Sequence, residues 1–258
     1  MPDTGPQGLE GAVALVTGAS SGIGWATAQA MSRRGGAVAL VARRRDRMDA
    51  LAGELRRAGA AVHVIEADIT DREQATAAVA ETVAELGRLD IVVNNAGVML
   101  NGMVLDAPLE EWERMVSLNV MAVLYITHAA LPHLRAAAQD DLRAVSDLVT
   151  VSSIAGRKPN AGSAVYNLTK FGVGALAEAM RQELSPHRIR VGLVEPGATI
   201  TELLEHNRDE VRTIMAGRLG GFRNLDAEDI AQAVEYIVTR PAHAAVNEVM
   251  VRPTAQVF

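Results

Sequence analysis

Short apolar segments alternate with longer amphipathic segments along almost the whole chain. The short segments are hydrophobic nearly throughout, which is typical of strands that are covered on both faces. They predict strands at Val13–Thr17, Ala37–Ala42, Val62–Ala67, Ile91–Asn94, Leu148–Ser152, Arg190–Glu195 and Val246–Val251. In the longer segments apolar residues recur every three to four positions, which indicates helices. These are predicted at Trp25–Arg34, Asp46–Arg57, Arg72–Leu86, Glu110–Ala137, Ser163–Leu184 and Ala227–Val238.

The alternation of strand and helix predicts a single α/β domain, with a doubly wound, seven-stranded parallel sheet and helices on both faces. A length of 258 residues fits one such domain, and no repeat or linker divides it. Ala138–Val145, which is predicted to be a polar turn, and residues 200–224 stand outside the pattern, and residues 1–10 precede the first strand. We expect residues 1–10 to form a mobile lead-in, and residues 200–224, which mix charged, apolar and glycine positions, to form a substrate lid.

Composition narrows the functional class. The net charge is −6 and no long basic block occurs, which argues against a nucleic-acid partner. Cysteine is absent, which excludes disulfides, thiolate zinc sites and a cysteine nucleophile, and the six histidines lack metal-ligand spacing. We find no apolar run of the ~18 to 20 residues that a membrane span needs, and no signal-peptide pattern. We therefore expect a cytoplasmic protein without a metal.

A glycine-rich segment follows the first predicted strand and opens the first helix. It reads Thr17-Gly18-Ala19-Ser20-Ser21-Gly22-Ile23-Gly24. Glycines at these positions allow a tight turn and close backbone approach to a pyrophosphate, and the helix N-terminus presents N–H groups to the anion. The segment therefore predicts a phosphate-binding loop, with an ordinary turn as the alternative.

Tyr166 and Lys170 are four residues apart in a predicted helix and share one of its faces. A nearby ammonium favours the phenolate, so we expect Lys170 to lower the pKa of Tyr166 toward the working range of a proton carrier. Ser153 follows a strand, where catalytic groups of α/β sheets gather, and is preferred over Ser152 as the group that stabilises charge on a substrate oxygen. Asn119 lies inside a predicted helix, where its polar side chain needs a partner.

These residues, together with Asn94-Asn95-Ala96-Gly97, Tyr166-Asn167-Leu168-Thr169-Lys170 and Pro196-Gly197 in this order, resemble the short-chain dehydrogenase/reductase family over roughly residues 11 to 200. The resemblance implies a single-domain Rossmann fold and hydride transfer with a nicotinamide cofactor. It implies that Ser153, Tyr166 and Lys170 are catalytic, and that Asn119 holds a water in a relay ending at Lys170. Glu195 departs from the asparagine that is common before this proline-glycine pair, which leaves the local hydrogen bonding open.

The end of the second strand decides which nicotinamide is bound. Ala42 stands where NAD enzymes of the family carry aspartate, and Arg43 follows it. A guanidinium can hold the 2′-phosphate with two hydrogen bonds, so NADP(H) is predicted, although an arginine run can also be a solvated helix start. Asp68 either contacts the adenine or caps the following helix. The implied cofactor-binding residues are Gly18, Ser20, Ser21, Gly22, Ile23, Gly24, Arg43, Arg44, Asp68, Ile69, Asn95, Ala96, Gly97, Tyr166, Lys170, Pro196, Gly197, Thr199 and Thr201.

The resemblance implies reversible reduction of an aldehyde or ketone to an alcohol. It extends to two branches of the family: the NADP-dependent 3-hydroxy acid dehydrogenases of the serine type, and the clavulanic acid dehydrogenase branch of aldehyde reductases. We favour a carbonyl reductase of secondary metabolism. A 3-hydroxy acid dehydrogenase, an epimerase or dehydratase with retained nucleotide, and a non-catalytic nucleotide sensor are the alternatives. The family also implies a homodimer or homotetramer that pairs through Glu110–Ala137 and Ser163–Leu184.

Substrate selectivity is expected from Val98–Val104, Ile154–Ser163 and residues 200–224. Arg157 and Lys158 either meet a polar or anionic group of the substrate or belong to a solvated loop. Three methionines are candidate pocket residues: Met99, Met103 and Met215.

Overall fold

The computed structural model describes residues 7–257, and within them seven strands form one parallel sheet. The strands are β1 Val13–Thr17, β2 Ala37–Ala42, β3 Val62–Glu66, β4 Ile91–Asn94, β5 Ser146–Val151, β6 Ile189–Pro196 and β7 Glu248–Val251. Their order across the sheet is β3-β2-β1-β4-β5-β6-β7. The predicted doubly wound α/β fold is confirmed.

Helices cover both faces of this sheet, as predicted. Within the same described residues they are α1 Gly22–Arg33, α2 Arg45–Arg57, α3 Arg72–Leu86, α4 Leu109–Val116, α5 Ala122–Ala137, α6 Ala164–Leu184, α7 Asp209–Leu219 and α8 Ala227–Val238. Helices α1, α2 and α8 pack on one face in a core that includes Met31, Leu51 and Ile230. Helices α3 and α5 pack on the other face, in a core that includes Val79 and Ile126.

The order in which successive strands are added to the sheet reverses between β1 and β4. From β1 the sheet extends to β2 and β3 on one side, and to β4 through β7 on the other. Loops that leave the ends of β1 and β4 therefore turn to opposite faces and open a crevice between them. Ligands of open α/β sheets bind in the crevice at such a point, so the fold places a site at the carboxyl ends of β1 and β4.

Several predicted boundaries are corrected. Strand β5 spans Ser146–Val151 and not Leu148–Ser152, and β7 begins at Glu248 and not at Val246. Helix α1 begins at Gly22 and not at Trp25, because the glycine-rich loop itself forms the first helical turn. The mobile lead-in expected over residues 1–10 is wrong for residues 7–10: the Leu9 amide donates to the Arg34 carbonyl at 2.7 Å, and Leu9 is 1% exposed in the core. Residues 1–6 lie outside the described part of the chain.

A long helix runs from Leu109 to Ala137 through α4, a π-helical turn and α5. By length and composition it is apolar enough to cross a bilayer, with a mean hydropathy of 1.5 over its most apolar window, so the expectation that no such segment exists is wrong. Helices that are buried in the core of a protein can have the same length and apolar composition. Here Ile126, Ala130 and Leu134 are fully buried and pack with α3 against the sheet.

Candidate active site

A cavity of about 1030 Å³ opens at the carboxyl ends of the strands, beside β1 and β4. It brings together nearly all of the residues that the sequence singled out. The predicted residues in its lining are Gly18, Ser20, Ser21, Gly22, Ile23, Arg43, Arg44, Asp68, Ile69, Asn95, Ala96, Gly97, Ser153, Tyr166, Lys170, Pro196, Gly197, Thr199 and Thr201. Gly24 and Asn119 lie behind this lining, where each contacts residues that form it.

The glycine-rich loop has the form that a dinucleotide requires. Gly18 has φ +67°, and a Cβ added there would lie 2.9 Å from Ala96 Cα. A Cβ at Gly24 would lie 2.3 Å from the Gly18 carbonyl oxygen, so helix α1 can approach the loop only with glycine at that position. Ser21 precedes α1 without a side-chain capping bond, which leaves the helix N-terminus for a phosphate. The loop therefore fits the pyrophosphate of a nicotinamide dinucleotide.

A threonine hydroxyl joins the two sides of the crevice. Thr17 Oγ1 accepts from the Asn95 and Ala96 amides at 3.0 and 3.1 Å, and the Asn95 side chain donates to the Thr17 carbonyl at 2.8 Å. Asn95 is thus part of a stabilising turn as well as of the cavity lining. Sequence reasoning gave Thr17 no role, although its place between strand and glycine turn was the available signal.

Arginines and serines form the adenosine end of the cavity. The Arg44 guanidinium donates to Ser20 Oγ at 3.0 Å and to Ser21 Oγ at 2.8 Å, and it is ion-paired with Glu202 at 2.7 Å. Arg43 lines the cavity beside it. Hydroxyl and guanidinium groups are the donors that a 2′-phosphate takes, so this end fits NADP(H). Sequence reasoning missed Glu202.

Asp68 lines the cavity and does not cap the next helix. Asp71 caps α3, since its side chain accepts from the Gln74 amide at 2.9 Å. Asp68 Oδ1 accepts instead from the Thr70 amide and hydroxyl, at 3.0 and 2.7 Å. Burial would raise the pKa of Asp68, but these two hydrogen bonds lower it below the usual value. The side chain is therefore held as a carboxylate, which is suited to accept from an adenine amino group.

Ser153, Tyr166 and Lys170 meet at the other end of the cavity. The Ser153 hydroxyl is close enough to the Tyr166 phenol to lower its pKa, and Lys170 Nζ lies 5.7 Å from the centre of the Tyr166 ring. The rival serine is turned away: Ser152 is 4% exposed and its hydroxyl donates to the Lys170 carbonyl at 3.2 Å. The predicted preference for Ser153 agrees with this geometry.

The expectation that Lys170 lowers the pKa of Tyr166 is wrong for this structure. Burial raises the pKa of Tyr166 to about 12, and the Ser153 hydroxyl opposes that rise only in part. Burial also lowers the pKa of Lys170 to about 8. The ammonium donates to the Val151 carbonyl at 2.9 Å, so it is positioned by the end of β5 and does not bond the phenol. Desolvation dominates because both side chains are more than nine-tenths buried.

Asn119 lies in the π-helical turn Ser117–Met121 that interrupts the long helix. Its side chain accepts from the Val98 amide and donates to the Val98 carbonyl, both at 2.8 Å, and it donates to Thr169 Oγ1 at 3.2 Å. The predicted need for partners is thus met. Thr169, within the Tyr-x-x-x-Lys motif, connects Asn119 to Tyr166, because its hydroxyl donates to the Tyr166 carbonyl at 2.8 Å.

Arg157 is 40% exposed and forms two ion pairs. It is paired with the buried Glu195 at 2.6 Å and with Glu248 at 2.5 Å, and these carboxylates raise its pKa. Arg157 and Lys158 are both exposed and neither lines the cavity, which agrees with the predicted solvated loop and not with a substrate contact. The pair also explains Glu195, whose carboxylate receives the Arg157 guanidinium and thereby joins the Ser153 loop to β6.

Residues 200–224 lie over the cavity and contain a 3₁₀ turn, Glu202–His206, followed by α7. The turn and helix contribute Leu203, Leu204, His206 and Met215 to the lining. Met99 also lines the cavity, but Met103 is 59% exposed outside it, so its predicted role is wrong. Closure of the segment as a lid stays a prediction.

Known proteins resemble this chain in sequence and in structure. A family model described as short chain dehydrogenase matches residues 12–212. Glycine betaine reductase ATRR of Emericella nidulans is 40% identical over 249 residues, or 96% of this chain, but the chain spans only 19% of that relative's length.

Solved structures resemble the whole chain. Serine dehydrogenase complexed with NADP+, in its closed form, has a TM-score of 0.84 and 30% identity and covers 95% of this chain and 96% of its own. The 3-ketoacyl-(acyl-carrier-protein) reductase of Brucella melitensis complexed with NADH has a TM-score of 0.81 and 32% identity, with 95% and 98% covered. The chain therefore belongs to the short-chain dehydrogenase/reductase family and is an oxidoreductase with a Rossmann fold.

Proposed function

We propose that the protein is an NADP(H)-dependent oxidoreductase that reversibly reduces an aldehyde or ketone to an alcohol, with Tyr166 as the proton carrier. The observation that carries the proposal is one cavity lined by a dinucleotide-type glycine loop at one end and by Ser153, Tyr166 and Lys170 at the other. Phenol, hydroxyl and ammonium groups are what carbonyl reduction needs near the developing alkoxide.

The cofactor, when bound, supplies or accepts the hydride. Ser153 and Tyr166 are neighbours in the cavity, and both hydroxyls would donate to the carbonyl oxygen of the substrate. With a pKa of about 12, the Tyr166 phenol keeps its proton at neutral pH and is ready to give it to that oxygen. This state suits the reduction direction. Oxidation is the reverse, with the Tyr166 oxygen taking the proton, and Lys170 would hold the ribose hydroxyls.

The arginine-rich end supports NADP(H) over NAD(H). Arg43 and Arg44 line it, Ala42 leaves it without the strand-end aspartate of NAD enzymes, and Ser20 and Ser21 add hydroxyl donors. Serine dehydrogenase, a structural neighbour, is complexed with NADP+, while the reductase from Brucella melitensis is complexed with NADH. The site chemistry, and not the neighbours alone, therefore favours the phosphorylated cofactor.

A 3-hydroxy acid dehydrogenase is the second candidate function. It is favoured by the serine dehydrogenase structure, which is 30% identical over 95% of the chain. A role in secondary metabolism rests on the resemblance to aldehyde reductases of antibiotic biosynthesis, and a cytoplasmic location stays a prediction. An NADPH-oxidation screen across aldehydes, β-keto acids, cyclic ketones and quinones, run beside NADH, separates the candidates.

We also propose that the protein is a homodimer or homotetramer. Leu109 on α4 is 60% exposed, and Leu168 and Phe171 on α6 are 64% and 42% exposed. These side chains lie on the two long helices through which the family commonly pairs its subunits. Sedimentation velocity should show a dimer or tetramer at micromolar concentration, and a protein that sediments only as a monomer contradicts the proposal.

Replacing Tyr166 with phenylalanine removes the proton that the reduction requires. We expect Tyr166→Phe to lower kcat by at least about 100-fold on the best substrate of the screen, with NADPH binding retained. Tyr236→Phe is the matched control, because Tyr236 is 50% exposed on α8. Turnover of the Tyr166 variant at the wild-type rate would show that the mechanism is wrong.

Replacing Arg43 with aspartate should reverse the cofactor preference. The carboxylate repels the 2′-phosphate and accepts from a free 2′-hydroxyl. The dissociation constant of NADPH divided by that of NADH should therefore rise by about tenfold or more. Arg45→Asp carries the same change of charge at a side chain 56% exposed, and it should alter the ratio far less. An unchanged ratio in Arg43→Asp contradicts the NADP assignment.

The buried Lys170 makes stability depend on pH. Its pKa falls from 10.5 to about 8 on folding, so between these values the unfolded chain binds more protons and stability rises with pH. Below that window Lys170 is charged in both states, so the folded protein carries the full free-energy cost of burying the ammonium. Lys170→Met should therefore raise Tm at neutral pH, and the gain should shrink toward pH 10.5.

Thermal unfolding measured across this range tests the expectation. Tyr166 is present in both proteins, so its own titration cancels in the comparison. Lys158→Met, at an exposed lysine, should give a difference in Tm that does not change with pH. A constant difference for the Lys170 variant would show that the ammonium is not desolvated.

A further inference from the structure

One carboxylate, that of Glu202, lines the adenosine end of the cavity. Glu202 opens the 3₁₀ turn Glu202–His206, where Thr201 Oγ1 accepts from the Leu203 amide at 3.3 Å. From there Glu202 Oε2 accepts from Arg44 Nη1 at 2.7 Å, and Oε1 accepts from Arg47. Glu202 thus joins the segment over the cavity to the start of α2, 158 residues away in the sequence.

The partners of Glu202 are donors that suit an anion of the cofactor. Arg44 holds Ser20 and Ser21 through Nε and Nη2 while its Nη1 faces Glu202. The arginine hydrogen bonds lower the pKa of Glu202 to about 2, so the side chain is an anion at every working pH. The carboxylate is 29% exposed and the Arg44 side chain is 40% exposed, so a solute can reach the pair.

We propose that Glu202 is a specificity-determining residue, an internal carboxylate that engages Arg44 in competition with the 2′-phosphate of NADP(H). Binding of the phosphorylated cofactor must displace or repel this carboxylate, because two anions then share one guanidinium. NAD(H) carries a free 2′-hydroxyl and leaves the Glu202–Arg44 pair intact. Glu202 therefore weakens the preference for NADP(H) that Arg43 and Arg44 create. This inference rests on the proposed nicotinamide-dependent function.

The competition for Arg44 also couples cofactor binding to residues 200–224, the segment over the cavity. The Glu202–His206 turn leads into α7, and its neighbours Leu203 and Leu204 line the cavity. When the 2′-phosphate takes Arg44, the turn loses its bond to α2 at that point. The segment over the substrate thus responds to NADP(H) and NAD(H) differently.

Replacing Glu202 with glutamine removes the competing charge and keeps the shape. The affinities of NADPH and NADH are measured by isothermal titration calorimetry, without substrate. We expect Glu202→Gln to bind NADPH about three- to fivefold more tightly, as the loss of a partly exposed ion pair allows, and to bind NADH with little change. Glu205→Gln is the matched control, since Glu205 is an exposed residue of the same turn.

The readout is the change in the NADPH-to-NADH affinity ratio between variant and wild type. A ratio that rises in Glu202→Gln and stays constant in Glu205→Gln supports the proposal. An unchanged ratio, or an equal rise in both variants, overturns it, because the effect is then absent or is one of general charge. A wild type that prefers NADH, or a ratio unmoved by Arg43→Asp, would refute the NADP assignment separately. In either case the change in the NADPH-to-NADH affinity ratio between Glu202→Gln and wild type decides whether Glu202 competes with the 2′-phosphate.

Discussion

The hydroxyl of Thr17 joins the two loops that leave β1 and β4, and the site lies between these loops. Loops that leave β1 and β4 turn to opposite faces of the sheet, so their first residues separate unless a bond joins them. Thr17 Oγ1 accepts hydrogen bonds from the Asn95 and Ala96 amides, and the Asn95 side chain donates a hydrogen bond to the Thr17 carbonyl. The backbones come so close that a Cβ at Gly18 would lie 2.9 Å from Ala96. The glycines of the loop therefore allow its backbone to approach a phosphate closely.

From this point the cavity extends toward two ends with opposite physical character. At the reacting end Tyr166 and Lys170 are 6% and 7% exposed, and removal from water raises the first pKa and lowers the second. At the adenosine end the Arg44–Glu202 pair is partly exposed and ionised. A dry end suits proton transfer between weak acids, whereas a charged, accessible end suits discrimination between cofactors that differ by one phosphate.

Sequence reasoning was accurate where a local pattern suffices. Strand β4 and helix α3 have the predicted bounds, because buried strands are continuously apolar and Asp71 supplies an N-cap that ends the loop. The start of α1 was placed at Trp25, since glycine disfavours helix and the first turn here consists of Gly22, Ile23 and Gly24. The ion pairs of Arg157 were missed because Glu195 and Glu248 belong to other strands, which no local pattern connects to it.

The sequence by itself determined the alternation of strand and helix, the glycine loop after β1 and the spacing of Ser153, Tyr166 and Lys170, because each is a property of neighbours along the chain. Only the tertiary structure decided that Tyr166 holds its proton to a pKa of about 12, and that Glu202 pairs with Arg44. Desolvation depends on everything packed around a group, and an ion pair depends on which distant segments meet. Neither quantity exists until the sheet has brought the loops together.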